Sequence, residues 1–143
     1  MIKIFFLFLV VSAVWIPPSF SKSYGNFENV VFHRCYDGDT CTFTLPGIHP
    51  LLGEKISIRL NGVDTPEIRG KCPSEKRLAK RAKILVNRML KKAQKIRLLN
   101  VSRGKYFRIV ADIEVDGVLL KEVLLRDGLA HRYDGGTKKG WCV

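Results

Sequence analysis

Two short acidic motifs are where this chain's residue types and spacing could do chemistry: Asp37-Gly38-Asp39-Thr40 and, further along, Asp64-Thr65-Pro66-Glu67. Carboxylates beside hydroxyls and backbone carbonyls are hard oxygen donors, suited to calcium or magnesium and not to zinc. Each motif alone also fits a plain turn, since Asp-Gly and Asp-Thr-Pro are common turn chemistry, and taken separately the turn is the better reading. Two arginines alter that balance: Arg59 in the run Ile58-Arg59-Leu60-Asn61-Gly62-Val63-Asp64, and Arg108 at the end of Lys105-Tyr106-Phe107-Arg108. A phosphodiester is anionic and resists attack, so hydrolysing it requires charge neutralisation, a positioned water, and stabilisation of the charge that forms as water adds. A carboxylate-held cation with two guanidinium groups meets those needs. Arginine stays charged and can bind phosphate oxygens bidentately, which a lysine cannot reproduce.

These residues need elements to position them. Val30 to Cys35 and Thr40 to Leu45 read as two strands of a hairpin around Asp37-Gly38, with Cys41, Phe43 and Leu45 on one face and Thr40, Thr42 and Thr44 on the other. A loop holding Pro46, Gly47 and Pro50 follows. Then Lys55 to Leu60 alternates, turning Ile56, Ile58 and Leu60 inward and sending Ser57 and Arg59 outward. Pro73-Ser74 opens a helix with Leu78, Ala82, Leu85, Val86 and Met89 at helical spacing; its Lys- and Arg-rich other face is expected to be a solvated surface. Ile96 to Val101 and Arg108 to Val115 read as strands, Asp116-Gly117 as a turn, and Leu119 to Arg126 as a short helix stopped at Gly128. Lys22 to Phe27 reads as a loose lead-in. The order fits a small closed or nearly closed barrel with attached helices, of which an OB-type barrel is one form among other small α+β folds.

Composition bounds the setting. Lys3 precedes an apolar run from Ile4 to Ile16, ended by Pro17 and Pro18 before Ser19 and Ser21, the pattern of a secretory signal cut after Ser21. An uncleaved anchor is the alternative. Residues 22–143 are enough for one domain and too few for two. Only Lys3 among the charged residues falls in the signal, so that domain has 24 basic and 13 acidic side chains. Such a balance favours a polyanionic partner, though it also fits a soluble secreted surface. Cys35, Cys41, Cys72 and Cys142 form an even set with no zinc-ligand spacing, so two disulfides are expected. Three pairings are possible; the preferred one joins Cys35 to Cys41 across a tight turn and Cys72 to Cys142.

The motifs, taken in order, resemble the thermonuclease (staphylococcal nuclease-like) family. Its pattern is an Asp-Gly-Asp-Thr turn, an Arg-bearing strand running into Val-Asp-Thr-Pro-Glu, and Lys-Tyr-x-Arg before a strand. Asp116-Gly117 followed by Glu122 to Ala130 matches the helix and Gly-Leu-Ala that come next, so the resemblance runs over roughly residues 28 to 134. It implies an α+β, mainly β fold, a five-stranded OB-type barrel with two packed helices. It implies an exported calcium-dependent nuclease, magnesium being second choice, that cuts DNA and/or RNA and leaves 3′-phosphates. By resemblance, Asp39 and Asp64 hold the ion through carboxylates and Thr65 through its backbone carbonyl. Glu67 stands by the attacking water as base or orienting group, and Arg59 and Arg108 grip the scissile phosphate. Lys105 and Tyr106 match contacts to a terminal phosphate, and Tyr133 is a candidate for base stacking or for simple packing. Thr40 and Asp37 either ligate or buttress the metal site or merely fix the turn, with the structural role favoured for Asp37.

Two departures stand out: the last helix of the best-known member is missing or reduced, its place expected to be taken by the Cys142 disulfide, and Ile68 to Pro73 is only a short link. A non-catalytic OB-type nucleic-acid-binding module is the main alternative function, and a basic protein acting on glycans or membranes is a third. A monomer without stable membrane association after signal cleavage, in the periplasm or outside the cell, completes the expectation.

Overall fold

Alternation of threonine with apolar residues makes Thr40 to Thr44 a strand with one dry face, and the sheet grows outward from it. The computed structural model describes residues 22–142, so the signal expected at residues 1–21 lies outside the described residues. The strands are β1 (Phe27–Glu28), β2 (Val31–Cys35), β3 (Thr40–Thr44), β4 (Ile56–Leu60), β5 (Val63–Asp64), β6 (Ile96–Arg103), β7 (Ile109–Val115), β8 (Val118–Leu119) and β9 (His131–Arg132). The helices are α1 (Pro50–Gly53), α2 (Pro73–Lys92) and α3 (Leu120–Arg126), with a 3-10 turn at Lys105–Phe107.

The main sheet runs β1-β6-β7-β4-β3-β2, with β8 added to β7, while β5 and β9 form a separate ribbon. Its two outermost strands, β1 and β2, are separated in the chain by Asn29 and Val30 alone, and Asn29 turns with φ of 53°. They are thus two halves of one bent strand, and the sheet curls on itself. Counted this way, five strands make the OB-type barrel: β1/β2, β3, β4, β6 and β7. Only the β4–β7 pair is parallel in the main sheet. Phe43, Ile58, Leu60, Leu98 and Ile113 fill the interior, and Leu120 and Leu124 of α3 and Ala82 and Val86 of α2 close it from outside.

The structure adds elements that periodicity missed. The lead-in contributes β1, whose Phe27 and Glu28 pair with Leu98 and Arg97. The proline-rich loop contains α1, a third helix, because Pro50 is pre-set for a first turn and His49 Nδ1 accepts the Leu51 N–H at 3.2 Å. Strand β6 runs two residues past Val101, beyond a register shift at Asn100, whose φ is 53°. Both expected disulfides, Cys35–Cys41 and Cys72–Cys142, are present.

Asp112, central in β7, is buried and gathers three donors: Lys121 Nζ at 2.6 Å, Asn100 Nδ2 at 3.0 Å and Asn61 Nδ2 at 3.4 Å. Burial pushes its carboxyl up, but the hydrogen bonds from Lys121 and Asn100 outweigh that and hold it below its ordinary value. The network pins the end of β4 to β7 and α3. Removing one partner of such a pair leaves charge and donors unsatisfied, so Asp112→Ala is expected to cost about 3 kcal/mol. Urea unfolding checks this, and a loss under about 0.5 kcal/mol, the size of an ordinary surface change, contradicts it.

Candidate active site

The first acidic motif is fixed before any ligand is considered. Cys35 and Cys41 face each other in the β2–β3 register and their disulfide clamps the turn between them. Inside the turn the Asp39 N–H donates to Asp37 Oδ1 at 3.2 Å. Gly38 is where the turn meets the rest of the molecule. A Cβ there would stand 2.8 Å from Ala82 Cβ of α2 and 2.9 Å from Thr65 Cγ2, so only glycine lets the two motifs and the helix touch.

That contact brings the carboxylates of the two motifs together. Asp39 Oδ2 accepts the Thr65 N–H at 2.9 Å, and Asp39 Oδ1 accepts the Thr40 hydroxyl at 3.1 Å and Arg59 NH1 at 2.8 Å. The second fork nitrogen of Arg59 reaches Asp64 Oδ1 at 3.2 Å. One guanidinium therefore bridges Asp39 and Asp64, which lie 25 positions apart in the sequence and are nearly fully buried. The pleat explains how Arg59 gets there. It is in register with Thr40 on one side and Val110 on the other, on the face of β4 away from the core.

The Glu67 loop depends on a residue that sequence reasoning passed over. Glu75, in the first turn of α2, is buried; its Oε1 accepts the Glu67 N–H at 3.3 Å and its Oε2 the Lys71 N–H at 2.8 Å. Gly70 lies against it so closely that any added side chain would overlap the Glu75 carboxyl group. The signal existed in the sequence: positions 75, 79, 82, 86 and 90 form one buried helical stripe, and a carboxylate on such a stripe needs partners. The Cys72–Cys142 disulfide lies beside Glu75, so this trio is a structural cluster and its sulfurs are not free to take a metal.

Above these buried groups opens a cleft of about 580 Å³, and Arg59, Glu67, Lys105, Tyr106, Arg108 and Tyr133 all line it. Arg108 shares the strand face of Val110 and Arg59, and no carboxylate among the described residues pairs with it. Arg59, by contrast, has only 13% of its side chain exposed. Tyr106 and Phe107 project 91% and 81% exposed from a backbone with φ of 58° and 57°. Ribbon β5–β9 forms part of the rim: Asp64 pairs with His131, and the Tyr133 N–H donates to Gly62 O at 3.0 Å. A second groove, between α2 and α3 and lined by Leu85, Met89, Val115 and Val123, contains none of the residues nominated from sequence.

Lys138 is the other residue missed. Its Nζ lies 2.7 Å from Asp64 Oδ1 and 3.0 Å from Glu67 Oε1. Burial opposes its charge, but these two hydrogen bonds prevail and hold the ammonium above its usual pKa. Nothing in Gly136-Thr137-Lys138-Lys139-Gly140 marks one lysine over its neighbour.

The donor set fits a hard divalent cation. Asp39 and Asp64 offer buried carboxylate oxygens beside Thr65, while the histidines are engaged elsewhere. His33 bonds Thr44, His49 caps α1, and His131 stacks on Trp141 at 3.9 Å. Burial raises the Asp39 carboxyl to about 6; Arg59 opposes this, and Asp37 and Asp64 reinforce it.

Comparison with known proteins places the chain beside nucleases. A family model described as staphylococcal nuclease homologue matches residues 57–140, a span that includes Arg59, Asp64, Glu67, Arg108 and Lys138. The chain is also similar to a protein named endonuclease YncB from Bacillus subtilis (strain 168), 34% identical over 128 residues, covering 82% of this chain and 56% of the relative. It thus spans little more than half the length of that relative.

The Asp39 shift has a signed consequence. In the fold Asp39 keeps its proton to about pH 6, whereas an unfolded Asp loses it near its model value of 3.8. Its stabilising contribution is therefore complete below about pH 4 and lost as pH rises through 6. With a chelator present, wild type is expected to lose about 3 kcal/mol relative to Asp39→Asn between pH 4 and 7, measured by denaturant unfolding at each pH. A constant difference contradicts the assignment.

Proposed function

The chain belongs to the family of staphylococcal nuclease homologues, and from that premise we propose that it is a metal-dependent nuclease hydrolysing phosphodiester bonds of DNA and/or RNA. The observation that carries the reading is the union, in one cleft, of two arginines and a half-exposed carboxylate with a buried Asp39–Asp64 pair beneath them. The similarity to a protein named an endonuclease supports the same activity.

Asp39, Asp64 and the Thr65 carbonyl are assigned to the cation, calcium before magnesium given this all-oxygen set. Bound there, it would neutralise charge on the phosphate. Arg108, which pairs with no carboxylate among the described residues, is assigned to phosphate oxygens, where a planar fork can bind two at once. Arg59 acts from the cleft floor, where its carboxylate partners fix its fork in advance. Glu67 points a half-exposed carboxylate into the cleft from a backbone that Glu75 holds still, the arrangement needed to orient or deprotonate a water. Lys105 and Tyr106 are assigned to a terminal phosphate, and Tyr133 to stacking on a base. The 3′-phosphate product follows from the family resemblance. The two disulfides support an oxidising destination, periplasmic or extracellular, in line with the signal expected at residues 1–21.

A plasmid-nicking assay in calcium and in chelator tests the reading. Cutting is expected only with the ion, and Glu67→Ala or Arg108→Ala is expected to slow it by at least about 100-fold with an unchanged melting curve. Wild-type rates from folded variants refute the roles, and tight binding without cutting identifies a non-catalytic module.

A further inference from the structure

We propose that Lys138 is a built-in competitor for the divalent cation: its ammonium takes the ion's place against Asp64, with Glu67 as its second partner, and must leave Asp64 when the ion binds. The proposal rests on the reading that Asp39 and Asp64 hold such an ion.

Lys138 is delivered by a strap fixed at both ends. On one side the Tyr133 N–H donates to Gly62 O at 3.0 Å and Lys105 Nζ donates to Gly135 O at 3.0 Å. On the other, Trp141 stacks on His131 with ring planes 14° apart, Ser74 Oγ donates to Trp141 O at 3.5 Å, and Cys142 is bonded to Cys72. Lys138 sits between these anchors, directly over the carboxylates.

The charges explain why it stays there. Asp37, Asp39, Asp64 and Glu67 converge on this region, and the cations paired with Asp39, Asp64 or Glu67 are Arg59 and Lys138. An ammonium is a compact point charge, the nearest side-chain imitation of a metal ion. Its 2.7 Å contact with Asp64 Oδ1 is only slightly longer than calcium–oxygen contacts of roughly 2.3–2.6 Å, so both cations claim the same oxygen. A dication at Asp64 would also lie within a few ångströms of a like charge in a partly buried site, which is strongly unfavourable. Lys138 is the one that can yield, since 45% of its side chain is exposed against 13% for Arg59. Its release would also relieve Glu67 of a counter-ion, leaving that carboxylate available for water. Ion binding and Lys138 docking then oppose each other by the same factor in both directions.

Two measurements without nucleic acid test this. Calorimetric titration of calcium into wild type and Lys138→Met is expected to show about tenfold tighter binding by the variant. Reductive methylation of wild type, read by mass spectrometry, is expected to label Lys138 several-fold faster in saturating calcium, with Lys139 as the unchanged internal control. Equal calcium affinity in the two proteins, or labelling of Lys138 that calcium binding leaves unchanged, overturns the proposal while the cation site stands. If neither protein binds calcium, magnesium or manganese, the cation reading fails and the competitor role falls with it.

Discussion

Arg59 is the constraint on which the rest of the molecule depends. Burying Asp39 beside Asp64 places two like charges in a poorly solvated space, and without a counter-charge the fold would have to protonate one of them or separate them. A single fork between the two oxygens makes their approach tolerable. Everything around it then has to keep its position. The parallel β4–β7 pair sets the face from which Arg59 projects, the Cys35–Cys41 clamp sets the turn, and Gly38 lets that turn rest on Thr65 and Ala82. A buried ion pair is weak evidence of net stability. Its contribution here is register: it fixes which loop faces which.

The parts legible in the sequence were those with a period. Period-two alternation in Thr40 to Leu45 and Lys55 to Leu60 marks the strands and sends Arg59 outward, helical spacing marks α2, and the Asp116-Gly117 turn and the Gly128 stop bound α3. Ordered motifs nominated the residues that the structure gathers in and beneath one cleft. What escaped was chosen by long-range partners. Strand β1 is two residues long and exists because β6 needs a neighbour to close the barrel. Ribbon β5–β9 likewise pairs residues 63–64 with residues 131–132. Glu75 stands in the first turn of a helix, a common placement for an acid that requires no burial. Lys138 is one of two adjacent lysines, alike in the sequence. Both acquire meaning only when the Glu67 loop and the last ten residues are placed side by side.

Rigidity is unevenly distributed around the cleft. Its floor is hydrogen-bonded through Asp39, Thr65 and Arg59, and its Glu67 side through Glu75. Its rim at Tyr106 and Phe107 is the opposite, with two bulky residues in left-handed backbone geometry and their rings in solvent. Such a conformation disfavours side chains with a Cβ and persists where neighbouring structure enforces it. Here Gly104 N–H donating to Arg108 O at 2.8 Å closes the loop across its neck.

That rim is also where a protease would most easily find the chain, since exposed loop tips are preferred cleavage sites. A cut between Tyr106 and Phe107 leaves Cys72 on one fragment and Cys142 on the other, so the nicked halves remain a single covalent molecule. The same holds for one backbone break anywhere from residue 72 to residue 142. This bond makes a molecule clipped there a two-chain protein whose halves stay covalently joined until the disulfide is reduced.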